Sequence, residues 1–264
     1  MVADSVAFTG SVAEHYDSKL GPMFFEPYGR DIAARLPARA SRVLEIAAGT
    51  GVASRHLLAA LAPDATLTVT DLQEAMLQIA RGKLDDPRVE CRQADALALP
   101  FPDHSFHAAF CQFGLMFFAD KAAGLREARR VLTPDGTLVL STWGSLDDNP
   151  IARFAHEEVA EALPDPPPFL HVPFGLHDVD FVTTLLHGAG FSYVRSDTVE
   201  VVAESPSAHA AAMGLMCGSP MFAQLQERGA DVRRLVELVA ARLAREGGFA
   251  PMRLPMKAYV FTAQ

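Results

Sequence analysis

Cysteine is scarce in this chain. Cys91, Cys111 and Cys217 are too few, too far apart and of the wrong parity for a disulfide framework or a zinc site built from Cys-x-x-Cys pairs. A reducing, cytoplasmic setting is the expectation. Clusters of Lys and Arg interleaved with aromatics are also missing, and the formal net charge is -9, so the electrostatic footprint of a nucleic-acid binder is absent. No apolar run is long enough for a bilayer, since the longest, residues 108–119, falls short of the ~20 residues a spanning helix needs. The first residues, Asp4 among them, lack the basic-then-apolar pattern of a secretory leader. Neither export, nor a membrane, nor a polyanionic partner is expected. Internal repeats and low-complexity tracts are lacking too; the nearest candidate, residues 164–168, is a proline-stiffened loop.

What remains is a chain of 264 residues, 50% hydrophobic and 21% charged, enough to bury a substantial core as one domain. Short apolar runs at residues 42–47, 65–71, 88–94, 107–112 and 137–143 alternate with helical patterns. That alternation predicts a parallel sheet covered by helices. A helix is expected over 119–132, stopped by Thr133-Pro134-Asp135-Gly136, with the next strand starting at Thr137. Farther on, residues 178–186 read as helix, 193–203 and 255–263 as strands, and 207–246 as a helical stretch whose last part, 231–246, is a packing helix.

The chemistry is concentrated after the first run. Glu45-Ile46-Ala47 ends a strand, Ala48-Gly49-Thr50-Gly51 turns, and a helix starts at Val52. Glycines in such a turn allow the backbone to approach a ligand where a Cβ would clash. Asp71 closes the second strand about 20 residues later, the spacing at which α/β nucleotide sites place the carboxylate that binds ribose hydroxyls. A dinucleotide fingerprint would need Gly or Ala where Ser54 stands.

Three further segments decide between nucleotide ligands. They are Ala94-Asp95-Ala96-Leu97, Gln112-Phe113-Gly114-Leu115, and the helix and turn running from Glu127 to Leu138. With these, the region from Val43 to Trp143 resembles the class I S-adenosylmethionine-dependent methyltransferases, in particular the small-molecule branch related to the ubiquinone and menaquinone enzymes. Two departures stand out: Ala47 occupies the position of the family's first motif glycine, and His107 replaces an acidic residue often found at the start of strand four. His107 is left outside the site.

The resemblance implies a Rossmann-like α/β fold: a seven-stranded, mostly parallel sheet with an antiparallel C-terminal strand and helical lid insertions. It implies one methyltransferase domain over 1–264, with an N-terminal cap (1–37), a cofactor-binding half (38–145) and substrate-covering segments (146–177 and 205–250). The implied activity is methyl transfer from S-adenosyl-L-methionine to a small, aromatic or conjugated metabolite of the kind secondary metabolism handles, on oxygen, nitrogen or carbon. Glu45, Ala47, Gly49 and Gly51 would form the donor turn, Asp71 would take the ribose, and Asp95 the adenine amino group. Leu72, Met76 and Ala96 would enclose the adenine, Gln112 and Phe113 would follow strand four, and Tyr16 of the cap would fold over the donor. No metal is implied. Phe113, Phe117 and Phe118, together with residues 169–174, 212–217, Met221 and Phe222, supply apolar side chains for an acceptor cavity. If the acceptor needs a base, His15 and His171 are the candidates by type and location. An NAD(P)-dependent oxidoreductase and a non-catalytic S-adenosylmethionine-binding regulator remain alternatives. A homodimer is one open option for assembly.

Overall fold

The computed structural model describes residues 11–264; residues 1–10 of the expected cap, Asp4 among them, lie outside the described residues. Seven strands form one sheet in the order β3-β2-β1-β4-β5-β7-β6. They are β1 (Arg42–Glu45), β2 (Thr66–Asp71), β3 (Val89–Gln93), β4 (Phe106–Gln112), β5 (Leu132–Trp143), β6 (Val194–Ser205) and β7 (Met252–Ala263). The first five pair in parallel, whereas β7 runs antiparallel to both β5 and β6. Chain order reverses beside β1, where β2 lies on one side and β4 on the other. In open α/β sheets, ligands bind at such a switch point, beyond the carboxyl ends of the strands.

The strands are read correctly from their apolar runs because both faces of the central ones are covered; Val43, Leu44, Ala108, Ala109 and Val139 are fully buried. One boundary is corrected. Strand β5 begins at Leu132, not Thr137, because Leu132 already pairs with Phe106. The next register pair is Ala108 with Thr137, so residues 133–136 loop out as a bulge. The two C-terminal strands are also longer than their apolar patterns suggest. They pair from Val194 with Ala263 to Ser205 with Met252, and this long ribbon carries β7 back past Pro255.

Helices α3 (Val52–Ala60), α4 (Glu74–Arg81) and α5 (Lys121–Val131) connect the parallel strands. Asp120 caps α5 by accepting the Ala123 N–H at 2.8 Å. The cap comprises α1 (Ser11–His15), a π-helical segment Tyr16–Phe25 and α2 (Glu26–Ala34). It is tied to the turn after β1 by Lys83, which donates to both Asp17 and the Thr50 carbonyl. After β5 come α6 (Pro150–Ala162) and α7 (Val179–Gly188). Between β6 and β7 lie α8 (Ala208–Cys217), α9 (Met221–Glu227) and α10 (Val232–Gly247). Helix α10 packs through Leu235, Val236, Val239 and Leu243, all buried. Among the described residues, no helix is long and apolar enough to cross a membrane.

Candidate active site

At the carboxyl ends of β1, β2 and β4 the backbone opens a cleft of about 1000 Å³. Its wall includes Tyr16, Ala47, Gly49, Asp71, Leu72, Met76, Asp95, Ala96, Gln112 and Phe113. These side chains come from the cap and the ends of four strands, and the parallel register brings them to one edge.

The turn after β1 is held open from below. The Asp71 carboxylate accepts the Gly49 N–H at 2.8 Å through one oxygen and the Gln73 N–H at 2.8 Å through the other. Burial nevertheless outweighs these bonds and pushes its carboxyl above the ordinary value. Asp95 lies exposed on the cleft wall, its Oδ1 accepting the Leu97 N–H at 2.9 Å. Leu72, 49% exposed, lines the cleft with an apolar side chain. Met76 is buried against Val12 and Ala13 of the cap and also reaches the cleft.

The two glycines have different reasons to be glycine. Gly49 has φ +58°, and a Cβ there would point toward Tyr16, with the phenol oxygen 3.8 Å away. It lines the cleft. Gly51, at φ +78°, would push a Cβ to 3.1 Å from the Ala80 Cβ. Gly51 does not border the cleft; without a Cβ it lets the turn after β1 lie close against Ala80 of α4. Ala47 also has positive φ, +54°, the backbone shape that a glycine would adopt freely. Its methyl group is accommodated because Gly114 faces it; a Cβ on Gly114 would come within 2.6 Å of the Ala47 Cβ.

Glu45 is absent from that cleft and sits in a smaller recess beside it, with Tyr16, Ala47, Thr50 and Gln112. It is 1% exposed. Burial, with Asp71 nearby, pushes its carboxyl up to about 8. Glu45 Oε2, Thr50 Oγ1 and Gln112 Oε1 are buried without hydrogen-bond partners there. Such orphaned groups cost free energy unless a ligand or water satisfies them. Gln112 is anchored by its Nε2, which donates to the Phe25 carbonyl at 2.9 Å.

A second cavity, an aromatic-lined chamber, adjoins the cleft. Tyr16, Phe113 and Phe117 line both. The far walls carry Phe24, Trp143, Phe174 and Met221, together with His156 of α6. Phe113 and Trp143 stack with ring centroids 3.6 Å apart and an interplanar angle of 4°. Phe117 lies parallel to Phe169 at 6.0 Å. Tyr16 stacks on Phe25 at 4.8 Å, and burial near Asp71 and Asp17 keeps its phenol protonated. Asn149 also lines the chamber, but its amide is committed to the Ser145 and Lys257 backbones.

The structure places the two sequence-derived histidines elsewhere. His15 and His171 line neither cavity; His171 is exposed and sets its ring edge-on to His156 at 5.5 Å. His156 was missed. The signal was available in the apolar spacing of Ala152, Ala155 and Val159 around it on α6. His107 is far from the chemistry, at the opposite end of β4. Its Nδ1 accepts the Ser41 and Arg42 N–H groups at 3.2 and 3.3 Å.

Residues 43–136 match the family described as a methyltransferase domain. Across these residues, from β1 into the bulge of β5, the chain is similar to methyltransferase domains. Among curated relatives, a ubiquinone/menaquinone biosynthesis C-methyltransferase of Hahella chejuensis is 39% identical over 127 residues, covering 46% of this chain and 51% of that protein. A malonyl-[acyl-carrier protein] O-methyltransferase of Halorhodospira halophila is 40% identical over 125 residues, covering 44% and 41%. The chain spans about half the length of the curated relatives it matches. A solved phosphoethanolamine N-methyltransferase 2 of Haemonchus contortus, in complex with S-adenosyl-L-methionine, superposes with a TM-score of 0.60. At 14% identity over 97% of this chain and 57% of that one, the likeness shows a shared methyltransferase fold. The aligned stretch covers the turn after β1, Asp71 and Asp95, whereas α6 and the helices between β6 and β7 lie beyond it.

Proposed function

We propose that this chain transfers a methyl group from S-adenosyl-L-methionine to a small, planar, apolar acceptor. The observation that carries this is the meeting of two cavities across Tyr16, Phe113 and Phe117: a cleft with polar groups at the strand ends, and an aromatic chamber behind it. Support for the donor comes from the fit of the cleft. Asp71 offers a carboxylate at the ribose position, Leu72, Met76 and Ala96 offer apolar faces for a purine, and Asp95 offers an acceptor for its amino group. The recess with Glu45, Thr50 and Gln112 offers buried, unsatisfied polar atoms for the charged amino-acid tail.

S-Adenosyl-L-methionine, when bound, supplies a methyl group already activated by its sulfonium. The chain's contribution is then positional. Phe113 and Phe117 form the shared wall against which an acceptor ring would be steadied, and fixing two reactants in line is worth roughly 7–11 kcal/mol at best. The chamber's apolar walls offer water few hydrogen-bonding partners in the same space. An apolar lining with few polar groups suits a metabolite of one or two rings, and the net charge of -9 gives a nucleic acid nothing to grip.

Calorimetric titration should show binding of S-adenosyl-L-methionine and no binding of NAD. Labelled donor should then carry its methyl into a small-molecule extract and leave RNA, DNA and protein fractions unlabelled. Binding of NAD alone would overturn the donor assignment. Label confined to a macromolecule would overturn the acceptor assignment.

A further inference from the structure

The chamber is nearly all hydrocarbon and aromatic ring, which makes its polar exceptions informative. Asn149 spends both amide hydrogens on the Ser145 and Lys257 carbonyls and accepts the Lys257 N–H, closing the loop between β5 and α6, and Ser219 adds a single hydroxyl to the wall. His156 differs. It lines the chamber, its Nδ1 is buried, and that nitrogen has no hydrogen-bond partner. The ring is held in place by edge-on contacts with His171 at 5.5 Å and Phe174 at 6.1 Å. A buried, fixed imidazole nitrogen without a partner is costly unless a ligand satisfies it. His156 is also absent from the wall shared with the cleft, which Tyr16, Phe113 and Phe117 form.

We propose that the acceptor is a planar aromatic molecule bearing a hydroxyl, and that His156 Nδ1 accepts a hydrogen bond from that hydroxyl at a position remote from the methylated atom. His156 is thus a specificity-determining residue. The proposal rests on the methyl-transfer reading for the word acceptor, but the binding preference stands separately. Burial, with His171 alongside, pushes the His156 imidazole down to about 4, so near neutrality it is uncharged and one nitrogen is free to accept. The stacked pair of Phe113 and Trp143 supplies the flat apolar wall that a ring requires. A neutral phenol satisfies both, whereas its methyl ether keeps the ring and loses the proton.

The test uses Trp143, the chain's sole tryptophan, as an internal reporter of chamber occupancy. At about pH 6, 3-nitrophenol, 3-nitroanisole and nitrobenzene are titrated against its fluorescence, with calorimetry as a second readout. The wild-type protein should bind the phenol about three- to tenfold more tightly than the ether or nitrobenzene, the range expected of one neutral hydrogen bond. In His156→Phe the three should bind alike, and His156→Gln should recover part of the preference. Equal affinities in the wild type overturn the proposal without any variant, as does a preference that survives in His156→Phe or quenching by none of the three. S-Adenosyl-L-methionine is titrated in parallel. Its failure to bind would remove the methyl-transfer reading, while the phenol preference would still report on His156.

Discussion

The rings of Phe113 and Trp143 lie parallel with centroids 3.6 Å apart, joining the end of β4 to the end of β5. Tyr28 of α2 meets both edge-on, at 5.3 Å from each. Phe113 reaches this position with φ at +53°, a conformation that bulky side chains rarely adopt. The strain is held by the surrounding aromatic packing, and Phe113 is thereby turned to face both the cleft and the chamber. Trp143→Ala should remove the stack and open the wall, costing about 2–4 kcal/mol in urea unfolding, toward the lower end for large-to-small changes because the site already borders a cavity.

Ala47 and Gly114 form a matched pair. Gly114→Ala would bring a Cβ to 2.6 Å from the Ala47 Cβ and 2.8 Å from Cys111 Sγ, and should lower stability by about 1–3 kcal/mol. Ala47→Gly in the same chain should recover part of that loss, because it removes one of the clashing atoms. A double-mutant cycle by denaturant titration measures the coupling; strictly additive effects would show that the two sites do not communicate.

The glycines of the turn should separate stability from binding. Gly51→Ala should destabilise by about 1–3 kcal/mol through its positive φ and the contact with Ala80, yet the folded fraction should bind S-adenosyl-L-methionine as before. Gly49→Ala puts a methyl group toward the cleft and should weaken that binding more than it lowers the melting temperature. Calorimetry and thermal melts on the same samples distinguish the two patterns.

Asp71→Asn should raise the dissociation constant for S-adenosyl-L-methionine on the order of ten- to a hundredfold, the scale of one or two charge-assisted hydrogen bonds. A modest drop in melting temperature should accompany it, since the carboxylate also fastens the Gly49 and Gln73 amides. Wild-type affinity in the variant would put the ribose elsewhere.

Glu45 makes stability fall as pH rises. Its folded value of about 8 lies above the ordinary 4.5, so the native state retains a proton that the unfolded chain has released. Its contribution is most favourable below about pH 4.5, declines up to about pH 8 and is flat beyond, with a slope approaching ~1.4 kcal/mol per pH unit. Asp71, also raised, acts in the same direction. Glu45→Gln should flatten the decline between pH 5 and pH 8 in urea titrations. A cation bound beside Glu45 favours the carboxylate, so S-adenosyl-L-methionine should release protons on binding near pH 7. Calorimetry in buffers of different ionisation enthalpy would detect that release, and Glu45→Gln should abolish most of it.

The cleft at the strand ends was legible because its signals are local. A strand, a glycine turn and a helix are contiguous, and a parallel register carries Asp71 and Asp95 to the same edge by repeating the unit. Even there, the sequence alone did not distinguish Gly49, which faces the cleft, from Gly51, which faces Ala80 on the next helix. That distinction depends on which element lies across from each. The chamber was only half legible. Phe117, Phe169, Phe174 and Met221 announced an apolar cavity by density, but Trp143 read as the end of a strand and His156 did not stand out at all. Its walls come from the cap, β5, α6, α8, α9, β7 and the loops between them, segments up to 240 residues apart, from Tyr16 to Met256. Composition determines that such side chains must be buried somewhere. Only tertiary packing decides that His156, between Ala152 and Val159 on an apolar helix face, borders the chamber, while His171 is left outside in solvent.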